Sequence, residues 1–196
     1  NDGDHIVLLL EYADRLLQFK QNKTYLINIS EDLEFIEAEY DFMGIKEPYQ
    51  AIKTEEGIAW VNQNGCYLYN GEEVLNLIEG KIGQNDESDF ESLEKFPSWS
   101  AFVGNTAMIG YIPKNKQIVI FQDAAGVSVY GNVLVYDMDN EAWTRGYDRV
   151  IGAPKSNIVT KYDNSLLYSA PVNTTIEDFK VSEYKNSQPS QDETWT

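Results

Sequence analysis

The chain is poor in the residues that most site chemistry needs, with 1 Cys, 1 His and 3 Met among 196 residues. A single cysteine permits no internal disulfide and cannot supply a Cys-rich zinc site or an iron–sulfur cluster. A single histidine removes His-paired metal motifs and leaves His5 as the only imidazole base. Basic residues are also scarce: 15 Lys+Arg stand against 32 Asp+Glu, giving a formal charge of −17 and a pI near 4.3. Gripping nucleic acid through its phosphates needs a basic surface, and a field of this sign repels DNA, RNA and anionic lipid, so tight nucleic-acid binding is not expected. No apolar run approaches the roughly 18 residues of a membrane-spanning helix. The longest is Ile6 to Leu10. No basic segment followed by an apolar one marks a signal peptide, and the lack of an initiator Met points to a piece of a longer chain.

What is present is enough to build a core. Leu, Ile, Val and Phe together make 51 of the 196 residues, or 26%, above the region under about 20% typical of disordered chains. The chain also has 13 Tyr and 4 Trp, which add large buriable surfaces. The length suits one domain or part of a larger all-β unit.

Apolar residues fall in short runs rich in β-branched and aromatic types, each closed by Asn, Gly, Asp or Lys, which reads as strands. Leu16–Lys20 and Thr24–Ile29 flank Gln21-Asn22-Lys23, and Ile58–Asn62 and Cys66–Tyr69 flank Gln63-Asn64-Gly65. Both predict antiparallel hairpins, the second turning on an Asn64-Gly65 pair that tolerates positive φ. Further pairs are Ala107–Ile112 with Gln117–Gln122 around Pro113-Lys114-Asn115-Lys116, and Asn157–Tyr162 with Ser165–Ser169 turning at Asp163-Asn164. Between them, after a Gly/Ser loop at Ala124–Gly131, Asn132–Tyr136 leads through Asp137–Asn140 to Trp143.

The first two hairpins are alike in sequence. Asp14–Asn28 aligns without a gap on Glu56–Asn70 at an offset of 42 residues, matching Gln21/Gln63, Asn22/Asn64, Tyr25/Tyr67, Leu26/Leu68 and Asn28/Asn70. The stretch Gly131–Gly146 repeats the outer part of the pattern, a strand ending in Tyr-Asp, a turn and a Trp. Its offset from the second repeat is about 66, with the acidic stretch 79–95 read as an insertion. A period near 42 built of antiparallel strands predicts an all-β, β-propeller-like fold. Three to four blades fit the chain, only part of a full ring, since closed propellers have about four to eight. The expected domain is 1–173, with the insertion at 79–95, where Phe90 and Leu93 have helical spacing. An extended or disordered polar tail is expected at 174–196, with Trp195 as a possible anchor.

Candidate chemistry is sparse, and no catalytic, cofactor-binding or metal residue is assigned. His5 beside Asp4 lacks a Gly-x-Ser-x-Gly partner and reads as a surface residue. Cys66 lies on a predicted strand and reads as a small buried hydrophobe. With 32 acids, carboxylate pairs suited to a glycosidase occur in any fold and single out none. Asp137, Asp139 and Glu141 alternate like cation ligands, but an EF-hand loop needs Gly where Ala142 stands, so a solvated turn is expected. Gly80 and Gly83 lack the strand and the full motif of a phosphate loop. Strand aromatics suit either core packing or contact with sugars and proteins. Enzyme function has no positive support.

The segments Asp14–Ile29, Gly57–Gly71, Met108–Ile118 and Leu134–Trp143 resemble a group of bacteriophage structural proteins, the β-propeller tail nozzle, hub or stabilisation proteins of short-tailed phages. The likeness spans residues from about 5 to 170. The Tyr-Asp, polar turn and Trp143 also resemble the kelch pattern, in which the Trp packs between blades. The phage resemblance implies a homo-oligomeric ring below the portal that closes the DNA channel and carries fibres. Its partners would be other tail, portal or adaptor proteins, and it has no catalytic residues to carry over. The expected location is the virion tail after synthesis in the host cytoplasm. The alternative is a kelch-like or lectin-like propeller binding a host protein or glycan, and a glycoside-processing enzyme is the third reading.

Overall fold

The computed structural model describes residues 3–83, 98–105, 107–122, 130–151, 158–171 and 179–184. The chain is all-β. It divides into two compact units, 1–106 and 107–196.

The first unit holds two four-stranded antiparallel sheets, in each of which strands pair in sequence order. The first sheet is β1 (Ile6–Tyr12), β2 (Arg15–Lys20), β3 (Lys23–Asn28) and β4 (Phe35–Asp41). The second is β5 (Ala51–Lys53), β6 (Ile58–Asn62), β7 (Gly65–Tyr69) and β8 (Val74–Asn76). A short 3-10 turn, Pro48–Gln50, leads into β5, and a one-turn helix α1 (Trp99–Phe102) follows later.

The 42-residue offset recurs in the strand register. In β2–β3, Leu16 faces Ile27, Leu17 faces Leu26, Gln18 faces Tyr25 and Phe19 faces Thr24. Adding 42 to each number gives Ile58 and Tyr69, Ala59 and Leu68, Trp60 and Tyr67, and Val61 and Cys66, which are the partners in β6–β7.

The core between the two sheets joins unlike faces of the repeat. Leu17, Phe19 and Leu26 of the first sheet pack with Ile58, Trp60, Tyr67 and Tyr69 of the second. The second-sheet counterparts of Leu17 and Phe19 are Ala59 and Val61, whose side chains lie on the opposite face from Trp60 because successive residues of a strand alternate. The sheets therefore stack head to tail, one face of the first on the other kind of face of the second. Alternation also explains the burial along β2, where Leu17 and Phe19 are buried and their neighbours Leu16 and Gln18 only half-buried.

The expected turn mechanism at Asn64-Gly65 is corrected. Neither residue has positive φ. The turn residues are Gln63 and Asn64, between the paired Asn62 and Gly65, and the Asn62 side-chain oxygen accepts the N–H groups of Asn64 and Gly65 at 2.8 and 3.1 Å. Gly65 serves packing instead, since a Cβ there would meet the Tyr67 ring at 2.8 Å. Positive φ at both turn residues appears instead at Ala13 and Asp14, between β1 and β2.

The second unit begins with the sheet β9 (Met108–Ile112), β10 (Gln117–Phe121), β11 (Tyr130–Asp137) and β12 (Ala142–Ile151). Its remaining sheet is β13 (Val159–Thr160), β14 (Leu166–Pro171) and β15 (Phe179–Tyr184). The β9–β10 loop folds as a 3-10 turn over Pro113–Asn115 closed by Lys116 at φ 47°. The two sheets approach closely at Gly110, where a Cβ would meet Leu166 Cδ1 at 2.9 Å, and Thr160 Oγ1 donates to the Tyr111 carbonyl at 2.8 Å.

Two expectations about the less regular segments can be placed. The polar tail expected at 174–196 contains β15, which pairs with β14 along its whole length. That part is a strand of a sheet; the rest of the tail, with Trp195, lies outside the described residues. Of the acidic stretch 79–95, only Glu79–Gly83 is described, a turn that buries Ile82, and the helical spacing of Phe90 and Leu93 falls outside. The loop expected at Ala124–Gly131 falls outside for 124–129, and Tyr130 and Gly131 already belong to β11.

Candidate functional site

A cleft of about 150 Å³ opens at the hairpin end of the first unit. Its walls include the matched turns of the two repeats, Gln21-Asn22 and Gln63-Asn64, together with Phe42 and Gln50. The offset that sets the strand register thus also brings two equivalent Gln-Asn pairs to one opening.

The loop that follows β4 forms one side of the cleft and is held from both hairpins. Asn62 Nδ2 donates to the carbonyls of Phe42 (3.0 Å) and Gly44 (2.7 Å), and Asn64 Nδ2 donates to that of Phe42 (2.8 Å). The Met43 carbonyl accepts from Thr24 Oγ1 at 2.9 Å and from the Trp60 indole at 2.8 Å. Three successive carbonyls are therefore bound by side chains. Gly44 is required here because a Cβ would strike the backbone of the β2–β3 turn, at 2.5 Å from Lys23 N. Next to it, Ile45 N donates to the Lys20 carbonyl at 2.9 Å and its side chain is fully buried.

This anchoring leaves Phe42 in an unusual state. Its φ is 64°, a left-handed conformation costly for a bulky residue, and its side chain is 75% exposed. Behind it, Gln50 is 1% exposed, and its side-chain oxygen accepts the N–H groups of Lys46 and Glu47 at 2.8 and 3.0 Å. On the first turn, Asp4 accepts the Asn22 N–H at 2.9 Å and the Asn22 side-chain amide at 3.3 Å.

Among the described residues that line the cleft, carboxamides dominate, with Lys46 the one charged side chain and no carboxylate, hydroxyl, thiol or imidazole. Such a set can donate and accept hydrogen bonds but cannot supply the two carboxylates of glycoside hydrolysis or a nucleophile with its base.

The candidates considered from sequence lie elsewhere. His5 is exposed just before β1. Cys66 is fully buried, and burial pushes its thiol well above the usual cysteine range. Asp137 accepts the Asn140 N–H at 2.9 Å, a bond that lowers its pKa, while Asp139 pairs with Lys116 at 3.0 Å and Glu141 sits at φ 50°. Among the described residues no three His, Cys, Asp or Glu side chains group as metal ligands. Gly80 takes φ 68° in the turn after β8, with Gly83 accepting the Trp99 N–H at 2.8 Å.

Trp143 faces Tyr136 across β11–β12, ring centroids 5.0 Å apart, and is 8% exposed. Trp60 and Tyr67 form a like pair across β6–β7 at 5.4 Å.

Sequence reasoning did not find the cleft. The signal was the Gln21/Gln63 and Asn22/Asn64 matches, which read only as turn punctuation while the approach of the Phe42 loop was unseen. No protein-family model matches the chain, and no curated protein matches its sequence.

Proposed function

We propose that the chain is a run of propeller-like blades serving as a structural component of a short-tailed phage particle, in a tail or connector ring of the nozzle or hub kind. The observation that carries the reading is the head-to-tail stacking of the first two sheets under a constant 42-residue offset. Stacking of unlike faces is what a ring of equivalent blades needs, because each blade must offer one face forward and the other back. The first sheet keeps the rearward face half-buried, with Leu16, Gln18, Tyr25 and Ile27 standing where Ile58, Trp60, Tyr67 and Tyr69 stand in the second. In the proposed ring that face meets a neighbouring blade.

The phage assignment draws on the resemblance of the repeat segments to tail proteins. It gives the chain protein partners, other copies of itself and tail or portal proteins, and a position near the DNA exit. A charge of −17 suits such a position, since an acidic wall keeps passing DNA from adhering. Labelling purified particles with an antibody to the chain tests the proposal. Label at the tail supports it, and particles without the protein overturn it.

A further inference from the structure

We propose that the cleft between the two Gln-Asn turns binds a neutral saccharide, with the Phe42 ring as its stacking platform. The inference goes beyond the scaffold role and does not depend on it.

Three observations converge on this ligand class. The lining is rich in carboxamides, a group whose donor and acceptor match sugar hydroxyls, although Asn62 uses both of its own, and Asn64 its amide nitrogen, within the wall. Phe42 offers an exposed flat apolar surface at the rim, suited to the C–H face of a sugar ring, and its left-handed backbone is fixed by two side-chain amides from the neighbouring sheet. Strain held in this way marks a residue whose placement is used, because a relaxed surface loop would abandon it.

Gln50 is almost wholly buried in the wall. Its oxygen accepts two backbone N–H groups, which fixes this part of the wall. The volume, about 150 Å³, lies below the range of drug-sized sites and suits a single sugar unit of a longer chain.

Charge selects within the class. The lining holds no carboxylate and one lysine, so it has no paired cations to hold a sialic acid or phosphate, and the overall charge of −17 repels anions at a distance.

The test is titration of the full chain, followed by amide NMR shifts, with maltotriose, N,N′,N″-triacetylchitotriose and mannotriose, and with sialyllactose as the anionic counterpart. At least one neutral sugar is expected to shift Phe42, Gln50, Gln63 and Asn64 at millimolar concentration. Phe42→Gly removes the ring while relieving the positive φ, so it is expected to weaken binding about tenfold or more without lowering the melting temperature. Absence of shifts with all three neutral sugars, preference for sialyllactose, or unchanged binding by Phe42→Gly overturns the proposal. Binding is read on the isolated chain and incorporation on particles, so failure of one leaves the other intact.

Discussion

The ring of Phe19 stands edge-on to the indole of Trp60, 5.4 Å between centroids and 67° between planes. Phe19 belongs to the first sheet and Trp60 to the second, and under the 42-residue offset they are not equivalents of each other. The contact is therefore the point at which two copies of one motif interlock through different faces. Trp60 also donates its indole N–H to the Met43 carbonyl, so the same residue ties the core to the loop that carries Phe42.

Trp60→Ala is expected to cost about 3–5 kcal/mol, from lost burial, the cavity and the loss of one of the two hydrogen bonds to the Met43 carbonyl. Denaturant unfolding of Trp60→Ala, Phe19→Ala and the double variant should give a coupling of about 0.5–1.5 kcal/mol for the ring pair. Additive single effects would show that the two sheets do not depend on this contact.

At the β1–β2 turn, both Ala13 and Asp14 have positive φ, 51° and 56°, as a type I′ hairpin requires. Alanine has no side-chain compensation for that conformation, whereas asparagine tolerates it. Ala13→Asn is expected to stabilise by roughly 0.5–1 kcal/mol, a rise of about 1–4 °C in Tm. An unchanged or lower Tm would place the strain elsewhere.

Gly57 has φ 148°, and a Cβ there would collide with the Tyr69 carbonyl in the neighbouring strand. Gly57→Ala is expected to destabilise by about 2 kcal/mol or more, measured by chemical unfolding. Wild-type stability would mean that β7 can give way without loss.

Alkaline pH should weaken the fold through the β7 pair Cys66 and Tyr67. Burial raises both, the tyrosine from 10.0 up to about 12 and the thiol from 9.0 to beyond the usual range. Both stay neutral in the folded chain while the unfolded chain begins to ionise near 9 to 10. The unfolded state then holds fewer protons, so stability is full below about pH 9 and falls as pH rises through 12. Thermal melts across this range should show the decline, less steeply in Cys66→Ala. The native thiol should also resist a maleimide until the chain is unfolded, and rapid native labelling would contradict its burial.

The central hairpins were legible in sequence because their apolar alternation is strong and their turns are short. A gapless match at 42 residues fixes register, since a slip by one residue would turn Trp60 and Phe19 away from each other. The outer strands were less legible for physical reasons. In β4, Glu37, Glu39 and Asp41 alternate with Ile36, Ala38 and Tyr40, a period the sequence does carry, but their pairing with Arg15 of β2 and Lys23 of β3 is something no local reading reveals. The strands β5 and β8 have only 3 residues each, too few for a period. The Asn64-Gly65 signal marked a real hairpin through the wrong mechanism, because Asn62 supplies the turn's hydrogen bonds with its side chain. The cleft depends on a loop of one sheet meeting the turn of another. Its strained aromatic, Phe42, has no sequence signature.

The half-buried face of the first sheet gives a test of assembly separate from folding. Ile27→Lys and Tyr25→Glu place charge where the proposed ring meets a neighbouring blade, and neither residue belongs to the core shared by the two sheets. Both variants are expected to keep the melting temperature within a few degrees and to lose incorporation into particles. Full incorporation would mean that this face is solvent-facing in the assembly.

Electron cryomicroscopy of purified particles tests the structural role most directly. The expected map shows this chain in a ring at the tail, with sheets stacked around the axis through contacts like that of Phe19 on Trp60. A map of complete, infectious particles with no density for the chain, and no trace of it in their protein content, would contradict the proposed function.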